Sequence, residues 1–252
     1  MFIDLYTIIL LFFSGLFLSK IFILIGNNLH KKSAYINICD CKNTYKISEL
    51  LPLLSYFKTR YKCPYCGKSI PILFSLLELN CAIFYSLSYV IYGFSYEMFA
   101  TIIITSLLTI IFVSDLKYYI INDRPVLISI ILILLLKYIY FGLQPFYLSL
   151  VSGIIIYALM YFLRIFGNII FKKESLGGGD VKLSALFGCT LGIKLSIIAI
   201  ILGALLSFPK AINYTLTKNN REIAFGPYLI TGLLLVFLLQ DYINNFINLI
   251  VK

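Results

Sequence analysis

Apolar residues form long runs along most of the chain, and short polar segments separate these runs. A helix needs about 20 predominantly apolar residues to cross a bilayer. Seven runs approach or exceed that length, and they cover residues 2–25, 72–92, 98–113, 126–141, 146–170, 183–208 and 228–251. Open strand edges cannot face hydrocarbon, and the runs lack the alternation of barrel strands, so the pattern predicts helices.

The first and sixth runs differ from the others. The first lacks the basic start and the small-residue cleavage site of a signal peptide, so we expect it to be retained as a helix. The sixth is interrupted by Gly192 and Lys194, which favours two short helices joined by a tight turn. The predicted fold is therefore an all-α, polytopic integral membrane helix bundle with about eight transmembrane helices.

The amino-acid composition agrees with this fold. Of the 252 residues, 61% are hydrophobic and 13% are charged. A soluble domain is nearer half apolar and a quarter charged. The composition therefore excludes an ordinary soluble domain.

The positions of the lysines and arginines predict which way the bundle faces. Seventeen of the 21, including Arg164 near the end of the fifth run, lie in or beside the segments that follow the first, third and fifth runs or precede the last, whereas 93–97 and 142–145 contain none. Short cytoplasmic loops collect positive charge, so these basic segments are expected in the cytoplasm and both termini outside. The net charge of +10 thus reflects topology, and no nucleic-acid partner is expected.

The first basic segment, residues 27–71, is a predicted cytoplasmic loop that carries four cysteines. They form two close pairs, Cys39 with Cys41 and Cys63 with Cys66. In a reducing cytoplasm such pairs are more often metal ligands than disulfides, and four thiolates suit tetrahedral zinc. The second pair has the usual spacing and the first is one residue tighter. A structural zinc is therefore predicted, with free thiols or a redox role as the alternatives.

Four residues inside the apolar runs have simpler interpretations. Cys81 and Cys189 are expected to be small buried residues. Lys137 and Lys194 are expected to extend outward to an interface, since a lysine can keep its stem in hydrocarbon and its ammonium in water.

Two aspartates stand where apolar runs meet the predicted cytoplasmic surface. Asp115 follows the third run in "FVSDLKYYIINDR", and Asp180 precedes the sixth in "GGGDVKL". Two aspartates brought together can share one proton, because neighbouring like charges resist simultaneous ionisation. The charged one can act as a base on water while the protonated one hydrogen-bonds a scissile carbonyl. A structural alternative stays open, in which Asp180 caps a helix that opens at Val181 or pairs with Lys182.

The glycines before Asp180 favour the catalytic interpretation. Gly177 and Gly179 can adopt positive φ and allow close approach of another backbone, which suits a loop that admits an extended peptide beside the carboxylate. A phosphate-binding loop is not indicated, because no strand pattern precedes the glycines and the Gly-Lys-Ser/Thr ending is absent.

The two aspartate segments resemble known motifs. "LGGGDVKLSALFGCTLG" is similar to the Gly-x-Gly-Asp signature of the type IV prepilin peptidases, polytopic aspartic proteases that process prepilins and type II secretion pseudopilins. "SDLKYYIINDRP" resembles the first aspartate motif of that family, with Asp115 at the catalytic position and Asp123 at the second acidic position. Asn122 stands where a proline is usual.

Two further segments extend the resemblance over most of the chain. "ELLPLLSYFKTRYKCPYC" resembles the cytoplasmic-loop segment of the family, and Glu78, twelve residues after Cys66, falls on its usual glutamate. "IAFGPYLITG" resembles its C-terminal Phe-Gly-Pro motif. Departures lie in the part associated with N-methylation: "GLFLSK" replaces Gly-Ser-Phe-Leu-Asn, the first cysteine pair is shortened, and "LFS" at 73–75 replaces Arg-Tyr-Pro.

The resemblance implies an aspartic endopeptidase of the bacterial inner membrane with its active site facing the cytoplasm. Asp115 and Asp180 would cleave a short basic leader from prepilins or pseudopilins after a glycine. The implied substrate loop comprises Gly177, Gly178, Gly179, Lys182 and Asp123. A second implied activity is methyl transfer from S-adenosylmethionine to the new N-terminal residue, with Glu78 as a candidate residue.

The predicted organisation has three parts. Residues 1–26 form the first transmembrane helix, 27–71 the cysteine loop and 72–252 the transmembrane peptidase domain, with the helices in contact with the lipid bilayer. Alternatives are a small-solute transporter, an inactive zinc-loop anchor and an intramembrane protease of the presenilin type. A transporter predicts an internal repeat that we do not find in the sequence, and a presenilin-type protease predicts a first aspartate deeper in its helix.

Overall fold

A computed structural model of the protein describes residues 2–28, 62, 71–172, 174–216 and 224–250. The long elements in these ranges are all α-helices, which confirms the predicted fold class. In chain order they are α1 (Phe2–Asn28), α2 (Leu73–Tyr92), α3 (Tyr96–Tyr118), α4 (Asp123–Phe141), α5 (Leu143–Phe171), α6 (Gly178–Leu216), α7 (Gly226–Leu238) and α8 (Gln240–Ile250). The predicted zinc ligands Cys39, Cys41, Cys63 and Cys66 lie outside the described residues.

In the described part of the chain, six helices, α1 to α6, are long and apolar enough to cross a membrane. The axes of helices α7 and α8 are bent by 72° relative to each other. The two helices add a seventh span only if this bent pair counts as one span. This bend replaces the single helix predicted for 228–251. Helix α6 is broken at Gly192, whose positive φ of 73° favours glycine, as the sequence predicted. About eight transmembrane helices were predicted. The described residues reach that number only when α7 and α8 count as one span and the two arms of α6 count as two.

The helices group into two compact units, Met1–Tyr118 and Tyr119–Lys252. In the first unit, α1, α2 and α3 all pack against one another. Two glycines of α1 make this possible: Gly15 lies against the backbone of Ala82 in α2, and Gly26 against the Ile110 carbonyl in α3. Small residues at such crossings allow helices to approach closely, which is how membrane helices gain packing energy.

In the second unit, α6 is the central helix and packs against α4, α5 and α7. Its first arm crosses α5 where Gly188 meets the backbone of Ser152 and Gly153. Its second arm crosses α7 where Gly203 meets Leu229 and Gly232. Glycine contacts therefore hold both arms of α6, on either side of the break.

The crossing of α5 and α6 leads to a stability prediction. A Cβ on Gly188 would lie 2.3 Å from the Ser152 carbonyl oxygen and 2.6 Å from the Cα of Gly153. Backbone atoms cannot turn aside, so Gly188→Ala must separate the two helices and should lower the free energy of unfolding by about 3 kcal/mol. Thermal unfolding in detergent measures this loss.

The matched control is Ala204→Val, which adds carbon atoms at an exposed position of the same helix. It should leave the unfolding transition nearly unchanged. A Gly188→Ala protein that unfolds together with the wild type would contradict the tight crossing.

The sequence predicts that Lys137 extends outward to an interface, but the structure shows that its ammonium binds neighbouring helices. Its ammonium donates hydrogen bonds to Ser149 Oγ (2.7 Å) and to the backbone carbonyl of Thr190 (3.1 Å). The break at Gly192 interrupts the helical hydrogen bonds at this point, and the last carbonyls of a helix need other donors. Lys137 therefore joins α4, α5 and the end of the first arm of α6. Lys194 is exposed, and its extension to an interface stays a prediction.

Candidate active site

Asp180 is the third residue of α6 and is buried, with 7% of its surface exposed. Its carboxylate turns back over Gly177, and Oδ2 lies 2.9 Å from where a Cβ on Gly177 would be. The helix begins at Gly178, so the alternative that Asp180 caps a helix opening at Val181 is wrong. A carboxylate in the first turn is favoured by the positive end of the helix dipole.

Close contacts with neighbouring side chains, and not a positive φ, explain the three glycines before and at the start of α6. None of them has a positive φ, because the described glycines with that conformation are Gly93, Gly142 and Gly192. The expectation of positive φ at Gly177 and Gly179 was therefore wrong. The close approach of a peptide backbone stays a prediction, because the neighbours found for these glycines are side chains.

Each glycine of the turn faces a different neighbour. Gly177 lies against the Asp180 carboxylate, Gly178 against the guanidinium of Arg164, and Gly179 against the side chain of Ile121. For Gly179 a Cβ would lie 2.6 Å from the Cβ of Ile121. The segment that leads into α4 therefore packs directly on the glycine turn.

Two predicted substrate-loop residues form an ion pair beside this turn. Lys182 Nζ donates to Asp123 Oδ2 at 2.6 Å, and each side chain is about half exposed. Asp123 is the first residue of α4, so the pair links the starts of α4 and α6. Lys182 was the partner suggested for Asp180 in the structural alternative, but its ammonium binds the carboxylate of Asp123.

A second set of contacts, which the sequence analysis missed, holds the loop before α6 onto α5. Arg164 Nη2 donates to Glu174 Oε1 at 2.8 Å. Asn168 Oδ1 accepts from the Ser175 backbone N–H (2.8 Å) and from Ser175 Oγ (3.0 Å). Arg164 is the one charged residue of the run 146–170, and a charge within an apolar run is a signal that could have identified it.

Asp115 lies in the last turns of α3 and is also buried, with 5% of its surface exposed. The end of α3 is fixed to the end of α1: Lys117 Nζ donates to Asn27 Oδ1 (2.8 Å), and the Tyr118 hydroxyl donates to the Asn27 carbonyl (3.1 Å). Asp115 belongs to the first unit and Asp180 to the second, so the pairing of the two carboxylates stays a prediction.

Glu78 is completely buried in α2, and its charge attracts Lys20 of α1, which is also buried. Lys20 lies within the first span. Cys81 and Cys189 are buried, as predicted, and neither forms a disulfide. Cys81 forms a hydrogen bond with Thr109 Oγ1 at 2.9 Å.

Comparison with protein families accounts for most of these positions. The profile of the type IV leader peptidase family matches residues 102–212, which include Asp115, Asp123 and Asp180. The profile of the bacterial peptidase A24 N-terminal domain matches residues 12–92, which include Glu78. The chain belongs to the type IV leader peptidase family.

Individual members of this leader peptidase family are similar to the chain over most of their own length. The prepilin leader peptidase/N-methyltransferase of Bacillus subtilis is 29% identical over 210 residues, 82% of either chain. Its namesake in Neisseria gonorrhoeae is 29% identical over 82% of this chain and 72% of its own. A type 4 prepilin-like leader peptide-processing enzyme of Escherichia coli is 28% identical over 79% and 74%. No solved structure matches significantly. This leader peptidase family member is a protease and a multi-pass membrane protein.

Proposed function

We propose that the protein is a prepilin peptidase, an aspartic endopeptidase that removes the leader from pilin or pseudopilin precursors. One observation carries the proposal: Asp180 is buried in a closely packed glycine turn, within the same family match as Asp115. The names of the relatives support the choice of substrate, because they describe prepilin processing.

In the proposed reaction, the two aspartates divide the work of hydrolysis. One carboxylate accepts a proton from water, whose oxygen attacks the scissile carbonyl carbon. The other, protonated, hydrogen-bonds the carbonyl oxygen. The carbon–nitrogen bond then breaks, and the departing amine takes up a proton from the first aspartate as the roles exchange. Both aspartates lie near helix ends, Asp115 in the last turns of α3 and Asp180 in the first turn of α6.

The proposed location is the cytoplasmic face of the bacterial inner membrane. Lys117 and Arg124 flank the connection between α3 and α4, and two lysines lie between α5 and α6, whereas the connections at Gly93 and Gly142 carry none. Short cytoplasmic loops are rich in such residues. A pilin precursor would present its short basic leader to this face while its apolar helix remains in the bilayer.

Cleavage by the purified wild-type protein tests the proposal. In detergent, a precursor with a basic leader ending in glycine should be cut once, after that glycine, and mass spectrometry identifies the new N-terminus. A precursor with leucine in place of that glycine is the matched control and should stay intact. If neither precursor is cut, the transporter and zinc-loop anchor alternatives are favoured.

Asp123 is the proposed contact for the basic leader. Its carboxylate is half exposed and already binds an ammonium group, that of Lys182, so a leader lysine could take the same place. Because an exposed pair contributes at most about 1 kcal/mol, Asp123→Asn should raise KM for a basic leader by about fivefold. A precursor with a neutral leader is the control, and full activity of Asp123→Asn on the basic leader would contradict this contact.

Methyl transfer to the newly exposed N-terminal residue is a second proposed activity. The match of residues 12–92 to the N-terminal domain profile favours it, as do the double names of two relatives. S-adenosylmethionine would supply the methyl group, and Glu78 is the candidate residue in this part of the chain. Labelled S-adenosylmethionine with the cleaved product tests this activity, and metal analysis of the purified protein tests the zinc proposed for the cysteine loop.

A further inference from the structure

The side chain of Arg164 spans the loop that connects α5 to the glycine turn. At one side of the guanidinium, Nη2 binds the carboxylate of Glu174 at 2.8 Å. At the other, Nη1 lies 3.1 Å from where a Cβ on Gly178 would be, and its central carbon lies 3.6 Å from the same point. The planar group therefore covers the first residue of α6 while it holds the start of the loop.

The same part of α5 holds the loop at a second point. Asn168, one helical turn beyond Arg164, accepts two hydrogen bonds from Ser175. Gly167 leaves space for this contact, since a Cβ there would lie 2.3 Å from Ser175 Oγ. The loop is thus attached to α5 immediately before Gly177, whose neighbour in space is the Asp180 carboxylate.

These contacts define a chain of positions from α5 to Asp180. Arg164 touches Gly178, and Asp180 turns back onto Gly177, so both side chains lie against adjacent residues of one turn. An arginine suits this place because its guanidinium is planar, permanently charged and able to bind two partners at once. A positive group near the start of α6 adds to the helix dipole in favouring a carboxylate there.

The contribution of Arg164 to overall stability should be small. The Arg164 side chain is 27% exposed and that of Glu174 is 77% exposed. Ion pairs as exposed as this one add little to folding. The contacts therefore favour a local role, which is to keep the turn in one shape.

We propose that Arg164 is a positioning residue for Asp180: its guanidinium lies on Gly178 and holds the Glu174–Asp180 segment in the geometry that cleavage requires. The proposal rests on the proposed peptidase function. A displacement of about 1 Å in a reacting group can cost about 100-fold in rate. Loss of the guanidinium should therefore act on the chemical step and not on precursor binding.

The first experiment compares Arg164→Met and Arg164→Lys with the wild type in precursor cleavage. Arg164→Met should lower kcat by about 100-fold with KM changed less than about threefold. Arg164→Lys keeps the charge but not the planar group, so it should recover part of kcat. Lys172→Met is the matched control, because it removes an exposed positive charge at the same end of α5, and it should behave like the wild type.

The second experiment needs no activity. Leu176, in the loop, is replaced by cysteine, and the rate of maleimide labelling at that position is followed by mass spectrometry with and without Arg164→Met. Release of the loop should raise the labelling rate by about fivefold. Thermal unfolding of both proteins in detergent checks that they are folded.

The outcomes separate this proposal from the peptidase proposal. If kcat of Arg164→Met stays within about twofold of wild type, or if labelling of Leu176→Cys does not change, the positioning role is wrong. If the wild type cleaves no precursor, the peptidase proposal fails. The labelling rate alone then decides whether Arg164 holds the loop.

Discussion

We expect Asp180→Asn and Asp115→Asn each to abolish precursor cleavage, with a loss of at least about 10³-fold in kcat. An amide can neither accept the proton of the attacking water nor return it to the departing amine. Because the two carboxylates would act as a unit, the double variant should lose no more activity than either single one. Cleavage of a purified precursor, followed over time by gel electrophoresis or mass spectrometry, measures all three proteins.

Asp241→Asn is the control for this series. Asp241 is an exposed aspartate in the first turn of α8, outside the family match that contains the pair. This variant should cleave at the wild-type rate. Clear cleavage by either Asp115→Asn or Asp180→Asn would overturn the aspartate pair, and activity losses that multiply in the double variant would show that the two residues act separately.

Removing Lys20 should destabilise the protein strongly. The Lys20 and Glu78 charges attract each other, and both residues are almost completely buried in the first unit. Lys20→Met leaves the Glu78 carboxylate buried without this cation, which typically costs about 3 to 5 kcal/mol. Replacing both, as Lys20→Met with Glu78→Leu, removes both charges and should restore most of the loss. Thermal unfolding in detergent compares the three proteins.

Glu78→Leu in the double variant also separates structure from chemistry. If Glu78 serves methyl transfer, the double variant should cleave precursors and fail to methylate the product. If the single Lys20→Met protein unfolds at the wild-type temperature, the pair does not stabilise the first unit. Leu76→Met, at an exposed position of α2, controls for a change of side chain in the same helix.

The helices were predicted well where one run of apolar residues forms one straight element. The runs 2–25 and 72–92 agree with α1 and α2 within three residues. The run 126–141 begins three residues late, because α4 starts with Asp123 and Arg124. Hydropathy detects the boundary of hydrocarbon, whereas a helix can continue beyond it with polar residues.

The last run shows the opposite error. Residues 228–251 are apolar enough on average to predict one helix, but α8 carries five polar residues between Gln240 and Asn248. These alternate with apolar residues at helical spacing, which is typical of a helix that lies at a surface. An average over the run hides this pattern, and so it hides the bend at Leu239.

The contacts of the candidate site could be predicted only in part. Motifs identified Asp180, Asp123 and Lys182, but the ion pair between the last two joins residues 59 positions apart. The role of Arg164 depends on how α5 crosses the start of α6, and no periodic pattern specifies that crossing. The reason for the glycines was also hidden, since it lies in the side chains of Ile121 and Arg164.

Helices α4 and α5 are joined by one residue, Gly142, and form a hairpin whose two ends differ in their side-chain chemistry. Asp123 begins α4 and Asn168 lies near the end of α5, so both are found at the end of this hairpin remote from Gly142. The far end is a tight turn with no ionisable side chain from Gly142 to Pro145. If the hairpin crosses the bilayer, we expect reagents in water to reach Asp123 and Asn168 from one side of the membrane only, and the same would hold for any substrate segment that is soluble in water.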